Sequence, residues 1–168
     1  MGVSRGDRMP DATVLVSNAE GRPEEVRMHD LAGTGRVVVF GLPGAFTGTC
    51  STAHVPSFVR TKDAFAEAGI DRIVCVSVND SFVMEAWGRE TGAAGAGIVM
   101  AGDASGEFTR AMGMEFTAEA AGLFGRSKRY SMLVEDGVVT ILNPEESPGL
   151  CETSAGETLL EQVRSRRE

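Results

Sequence analysis

Apolar positions along this chain fall into blocks whose period switches between that of a strand and that of a helix. Val37-Val38-Val39-Phe40 is an uninterrupted, mostly β-branched run of the length of a buried strand, inside a segment that reads as strand from Arg36 to Leu42. Ala12 to Ser17 predicts a first strand, Asp71 to Val78 a second central strand and Ile98 to Ala101 a further one. Helical spacing appears after Cys50, where Val55, Phe58, Val59, Phe65 and Ala66 recur on one face and predict a helix from Cys50 to Ala68. Pro56 lies near its beginning, where a missing N–H can kink the helix. Met28 to Ala32 predicts a helical turn, Phe82 to Thr91 a helix carrying the only tryptophan, Trp87, and Glu107 to Met112 a short helix. Thr158 to Val163 belongs to a terminal helix. Gly92 to Gly97 and Ala118 to Ser127 read as loops. Tyr130 to Glu135 and Val138 to Leu142 are strands joined by Asp136-Gly137, a two-residue hairpin signal. Strands alternating with helices and ending in a hairpin predict an α/β sheet with one antiparallel part.

Length and charge narrow this picture. A chain of 168 residues with 42% hydrophobic and 24% charged content is expected to be one domain, 1–168, with a single substantial core and no disordered block. Sixteen basic against 24 acidic residues give a net charge of −8, which repels nucleic-acid phosphates and anionic lipid, so neither is an expected partner. The basic stretch Arg164-Ser165-Arg166-Arg167 is read as a solvated chain end. No apolar run has the length of a signal peptide's core or of a membrane span. Three widely spaced cysteines form neither a secreted disulfide framework nor a zinc site, so no metal and no cofactor is expected, and a reducing cytoplasm is the expected compartment.

The candidate chemistry lies in Gly41-Leu42-Pro43-Gly44-Ala45-Phe46-Thr47-Gly48-Thr49-Cys50, a Gly/Pro-rich loop between the central strand and the helix. A cysteine in the first turn of a helix sits among unpaired backbone N–H groups at the positive end of the dipole. That placement favours the thiolate, which is the nucleophilic form. The alternative is a buried cysteine behaving as a small hydrophobe.

Pro43-x-x-x-Thr47-x-x-Cys50 resembles the peroxidatic-cysteine motif of the peroxiredoxins, and the fuller string through His54-Val55-Pro56 resembles their peroxiredoxin-5 or type II subgroup. Further matches are Cys75-Val76-Ser77-Val78-Asn79-Asp80, Phe82-Val83-Met84-Glu85-Ala86-Trp87 and Arg126-Ser127-Lys128-Arg129-Tyr130-Ser131-Met132. The resemblance implies a thioredoxin-like fold, a mixed central sheet flanked by helices, and a homodimer. It implies a thiol-dependent peroxidase that reduces hydrogen peroxide and organic hydroperoxides, with Cys50 becoming a sulfenic acid. It moves Thr47, which residue chemistry leaves evenly divided between helix capping and catalysis, to the catalytic role. Pro43 then shields the thiolate, and Arg129 supplies the cation beside it, while Arg126 and Lys128 are read as solvated. Gly44 and His54 are expected to support the site from beside it, and His29 to be structural or exposed.

Other readings stay open at this point. His54, four residues after Cys50, suits a cysteine hydrolase, though no third partner is matched. A peroxide sensor or redox relay would use the same cysteine to oxidise a partner. A thioredoxin-type dithiol is not expected, because Thr47-Gly48-Thr49-Cys50 holds one cysteine, not two. The sulfenate would be resolved by Cys151, on a Gly/Pro-bounded segment, by Cys75 in its buried strand, or by an external thiol; glutathione, glutaredoxin and thioredoxin are the candidate reductants. Of the two internal thiols Cys151 is preferred, since a central strand holds Cys75 in place.

Overall fold

The β-branched runs become the middle of a seven-stranded mixed sheet. A computed structural model of the chain describes residues 2–147 and 149–166; Pro148 and Arg167, both part of segments read above, lie outside the described residues. The strands are β1 (Thr13–Ser17), β2 (Pro23–Arg27), β3 (Arg36–Gly41), β4 (Arg72–Ser77), β5 (Val99–Gly102), β6 (Glu115–Ala118), β7 (Leu123–Ser127), β8 (Tyr130–Glu135) and β9 (Val138–Pro144). The large sheet runs β2-β1-β5-β4-β3-β8-β9. Its centre, β3, β4 and β5, is parallel, and β1 and β8 join it antiparallel.

Burial on both faces explains why the central strands read as continuous apolar runs rather than alternating ones. Val38 and Phe40 point to one face, against α2 (Val55–Glu67), α3 (Ser81–Thr91) and α5 (Gly156–Arg166), through Phe58, Phe65, Met84, Trp87 and Leu159. Val37 and Val39 point to the other, against α1 (Met28–Ala32) and α4 (Glu107–Ala111), through Met28, Ala32 and Phe108. The Asp136-Gly137 hairpin forms as predicted, both residues in the left-handed region at φ 47° and 83°.

Three expectations change. The segment 118–127, read as loop, contains β7, which pairs with β6 in a separate two-stranded sheet. These strands bury little (Phe124 is exposed), so they carry no apolar alternation, and their pairing was not visible locally. The helix expected from Cys50 to Ala68 is two pieces. Residues Cys50–His54 form a π-helical turn, closed by the Val55 N–H donating to the Cys50 carbonyl, and α2 follows with Pro56 in its first turn. The basic chain end is not simply solvated, because Arg166 donates to the Thr140 carbonyl at 3.1 Å and pairs with Glu135 at 3.1 Å.

Candidate active site

The site assembles where β3 ends. In the β3–β8 register Gly41 faces Tyr130, so Arg129, the residue before β8, arrives beside the loop that leaves β3. Gly41 is required by this close approach: a Cβ there would meet the Tyr130 ring at 2.3 Å. The loop then turns into helix, and the π-helical turn aligns residues four apart, directing Cys50 and His54 to the same guanidinium. Cys50, His54 and Arg129 are all buried.

Arg129 donates from Nη2 to the Cys50 Sγ at 3.3 Å and is bonded through Nη1 to His54 Nδ1 at 3.0 Å. Arginine can only donate, so Nδ1 is the acceptor, and the imidazole proton sits on Nε2, which donates to the Ser154 carbonyl at 3.2 Å. The His54 ring lies between Phe40 and Phe58, with centroids 5.0 and 5.6 Å away. Burial first, then the Arg129 charge, push its pKa down to about 3 against the opposing pull of the Ser154 carbonyl. His54 is therefore a neutral acceptor that orients Arg129 without cancelling its charge. Both ring nitrogens are engaged elsewhere, so the imidazole has no free lone pair with which to deprotonate Cys50, and the cysteine-hydrolase arrangement is not formed.

The preceding loop is fastened from three sides. Thr47 Oγ1 donates to the Gly44 carbonyl at 2.7 Å rather than capping the helix, which leaves its lone pairs free to accept. Arg126 Nη1 donates to the Pro43 carbonyl at 3.1 Å, across a space that only glycine at 44 leaves open: a Cβ there would lie 2.4 Å from that nitrogen. Arg126 is thus half-buried and fastened, not solvated as expected, whereas Lys128 and His29 are exposed. Asn79 Oδ1 accepts from the Ala45 N–H at 3.0 Å and from the Ser77 hydroxyl at 2.6 Å. Phe46, at φ 65°, leans toward Trp87, whose Nε1 donates to Ser51 Oγ at 2.9 Å. Asn79, Trp87 and Ser51 carried no assigned role in the sequence. A signal for Asn79 existed: it follows the carboxyl end of β4 beside β3, where α/β sheets gather their site residues.

The redoxin family model matches residues 4–160 of this chain. Peroxiredoxin-2B of Arabidopsis thaliana is 38% identical over 157 residues, 94% of this chain and 96% of that protein. The chain belongs to the type II peroxiredoxins. The chloroplastic peroxiredoxin-2E-2 of rice, Oryza sativa subsp. japonica, is 41% identical over 94% of this chain and 71% of its own length. Among solved structures, reduced Prx3 of Vibrio vulnificus in complex with hydrogen peroxide superposes with a TM-score of 0.86 at 41% identity, covering 96% of this chain and 99% of that one. This peroxiredoxin has the thioredoxin-like fold and is a thiol-dependent peroxidase, with a peroxide as substrate and a thiol as reductant.

All three cysteines of the peroxiredoxin are free thiols. Cys75, buried in β4, packs in the same cluster as Cys50. Burial first, and the neighbouring Cys50 second, hold its thiol pKa well above the ordinary value. Cys151 is half-buried, on the segment between β9 and α5. Burial raises its pKa too, with Arg129 pulling the other way. Thr49 Oγ1 donates to the Gly149 carbonyl at 3.3 Å, so the Cys151 segment rests on the first turn of the Cys50 helix.

Proposed function

We propose that Cys50 is the peroxidatic nucleophile, with Arg129 and Thr47 as the groups that hold the peroxide and Pro43 as the lid over the sulfur. The observation that carries this reading is the Arg129 Nη2 contact to Cys50 Sγ at 3.3 Å in a water-excluded pocket. The thiolate attacks one peroxide oxygen and the O–O bond breaks. Sulfur keeps that oxygen as a sulfenic acid, while the other oxygen takes a proton and leaves as water or alcohol. Charge builds on the departing oxygen, and preorganised donors stabilise it more than the same donors would in water. Arg129 donates to that charge; the Thr47 hydroxyl, its own proton committed to Gly44, accepts from the peroxide O–H. Gly44 keeps the loop open for Arg126, and His54 fixes the guanidinium.

For the second half of the cycle the reading is that Cys151 attacks the sulfenate, releasing water and forming a disulfide that an external thiol then reduces. The Thr49–Gly149 contact supports Cys151, whereas a Cys50–Cys75 bond would need local unfolding around a central strand. A one-cysteine cycle remains the competing outcome, with glutathione, glutaredoxin or thioredoxin acting on the sulfenate itself. Half-exposed Phe46, which leans on Trp87, and exposed Phe82 support a homodimer. Three widely spaced cysteines without a disulfide-framework pattern support a reducing compartment such as the cytoplasm. The seven-stranded sheet covered on both faces supports one domain over 1–168.

Two measurements test this. Cys50→Ser abolishes peroxide turnover while the thermal transition stays cooperative; turnover at the wild-type rate in that variant would remove Cys50 from the mechanism. Peptide mapping after one equivalent of peroxide finds a Cys50–Cys151 disulfide, absent from Cys151→Ser. A Cys50–Cys75 bond, or a lasting Cys50 sulfenate in the wild type, overturns the choice of resolving thiol.

A further inference from the structure

Glu145 lies just past β9, buried, and does work that the peroxidase cycle above leaves unassigned. Its backbone N–H donates to the Arg129 carbonyl at 2.9 Å. Its carboxylate oxygen Oε2 accepts three hydrogen bonds of 2.7 Å each, from the Glu152 N–H, the Ser154 N–H and the Ser154 hydroxyl. Those donors flank Cys151 on its C-terminal side. Ser154 in turn presents its carbonyl to His54 Nε2, and His54 Nδ1 receives Arg129 Nη1. The contacts close a ring from the Arg129 backbone, through Glu145, Ser154 and His54, to the Arg129 guanidinium on Cys50.

A buried carboxylate is costly unless its oxygens are satisfied. This one is satisfied by groups belonging to the Cys151 segment rather than by its own strand. Burial alone would raise the Glu145 pKa. Hydrogen bonds from Ser154 and Glu152, with the Arg129 charge behind them, outweigh that and hold it below the ordinary carboxylate value.

We propose that Glu145 is a positioning residue that ties the Cys151 segment to the Arg129 guanidinium, so that the set of Arg129 over Cys50 and the freedom of Cys151 are controlled by one carboxylate. The proposal rests on Cys50, Arg129 and Cys151 acting as assigned above. While the clamp is closed, Arg129 is aimed at the sulfur and Cys151 is held back. For Cys151 to reach the Cys50 sulfenate the bonds to Glu152 and Ser154 must open, which also loosens the Ser154 contact to His54 and with it the aim of the Arg129 guanidinium.

The test uses Glu145→Ala and Glu145→Gln, each in the full chain and in a Cys151→Ser background. Trp87 is the only tryptophan and is bonded to Ser51, next to Cys50, so its emission follows single-turnover oxidation of Cys50 by hydrogen peroxide. Iodoacetamide labelling of the reduced protein, read by peptide mapping, follows Cys151. In Glu145→Ala, Cys50 oxidation in the Cys151→Ser background slows about tenfold or more, as expected for a misaimed guanidinium, and Cys151 labels about tenfold faster. Glu145→Gln, which keeps an acceptor oxygen of the same shape, restores most of both. Should Glu145→Ala not fold, the glutamine variant alone still moves both readouts in the same directions by a smaller factor. Unchanged Cys50 oxidation with faster Cys151 labelling would reduce Glu145 to a loop anchor and overturn the link to Arg129, as would two unchanged readouts. Failure of the underlying site assignment is distinct: it shows as peroxide turnover by Cys50→Ser, whatever Glu145 does.

Discussion

At the scale of single residues, the site depends on which protons are already committed. The Thr47 hydroxyl proton is committed to the Gly44 carbonyl, which leaves its oxygen lone pairs as acceptors. Thr47→Val keeps the shape and deletes that acceptor; steady-state kinetics should show kcat/KM for hydrogen peroxide falling by about 10²-fold, with Thr47→Ser restoring much of it. A valine variant at wild-type rate would return Thr47 to a purely structural role. Arg129→Met removes the charge on the Cys50 sulfur, so both peroxide turnover and alkylation of Cys50 at mildly acidic pH should drop. Alkylation unchanged in that variant would shift the electrostatic role away from Arg129. Arg126, bonded to the Pro43 carbonyl, is the next cation to test.

At the scale of elements, the loop from Leu42 to Thr47 is held by neighbours that are remote in sequence. Arg126 comes from β7, Asn79 from the β4–α3 connection and Trp87 from α3. Phe46 at φ 65° is strained by about 1–3 kcal/mol, which these contacts must offset. Asn79→Ala leaves the Ala45 N–H and the Ser77 hydroxyl without their shared acceptor; a loss of about 1–3 kcal/mol in urea melts is expected, together with slower peroxide turnover. Asn79→Asp keeps an acceptor at Oδ1 and should recover most of the stability, and no recovery would show that the contact is incidental. Gly41→Ala drives a methyl group into the buried Tyr130 ring at the start of β8. Overpacking of this kind costs about 1–3 kcal/mol. Because Arg129 precedes Tyr130, peroxide turnover should fall with stability rather than remain unchanged.

At the scale of the whole molecule, the buried neutral histidine couples folding to pH. The His54 pKa is about 3 in the folded protein against 6.5 for a free side chain. A depressed folded pKa means that the unfolded chain binds the extra proton first. Its contribution is therefore complete above the unfolded value and is lost as pH falls toward the folded one, at about 1.4 kcal/mol per pH unit. Glu145 adds a second loss further down, below its ordinary value of 4.5, because its folded pKa is also lowered. Urea unfolding across a pH series should show stability level between about pH 7 and 8 and falling steadily below about pH 6.5. His54→Gln should flatten the upper part of that fall, and a slope unchanged by the substitution would exclude His54 as its source.

The sequence by itself determined the elements whose signal is local. The runs around Val37–Phe40 and Val74–Val76 specify strands because burial on both faces permits nothing polar there. Asp136-Gly137 specifies its hairpin because both residues tolerate positive φ. The strand–loop–helix frame around Cys50, with Pro43 and Thr47 at fixed offsets, was legible for the same reason. What spacing alone left open was decided by pairing over long separations. β6 and β7 bury too little to leave a periodic trace, yet they deliver Arg126 to Pro43. The π-helical turn is a matter of backbone hydrogen bonding that no side-chain pattern at Cys50–His54 announces. The β3–β8 register put Arg129 on the Cys50 sulfur, and Ser154, a hundred residues from His54, settled that imidazole's tautomer. Local propensity can say which residues form a strand or a turn. Only the closed fold can say which charge meets which sulfur, because that contact is fixed by the register of elements far apart in the chain.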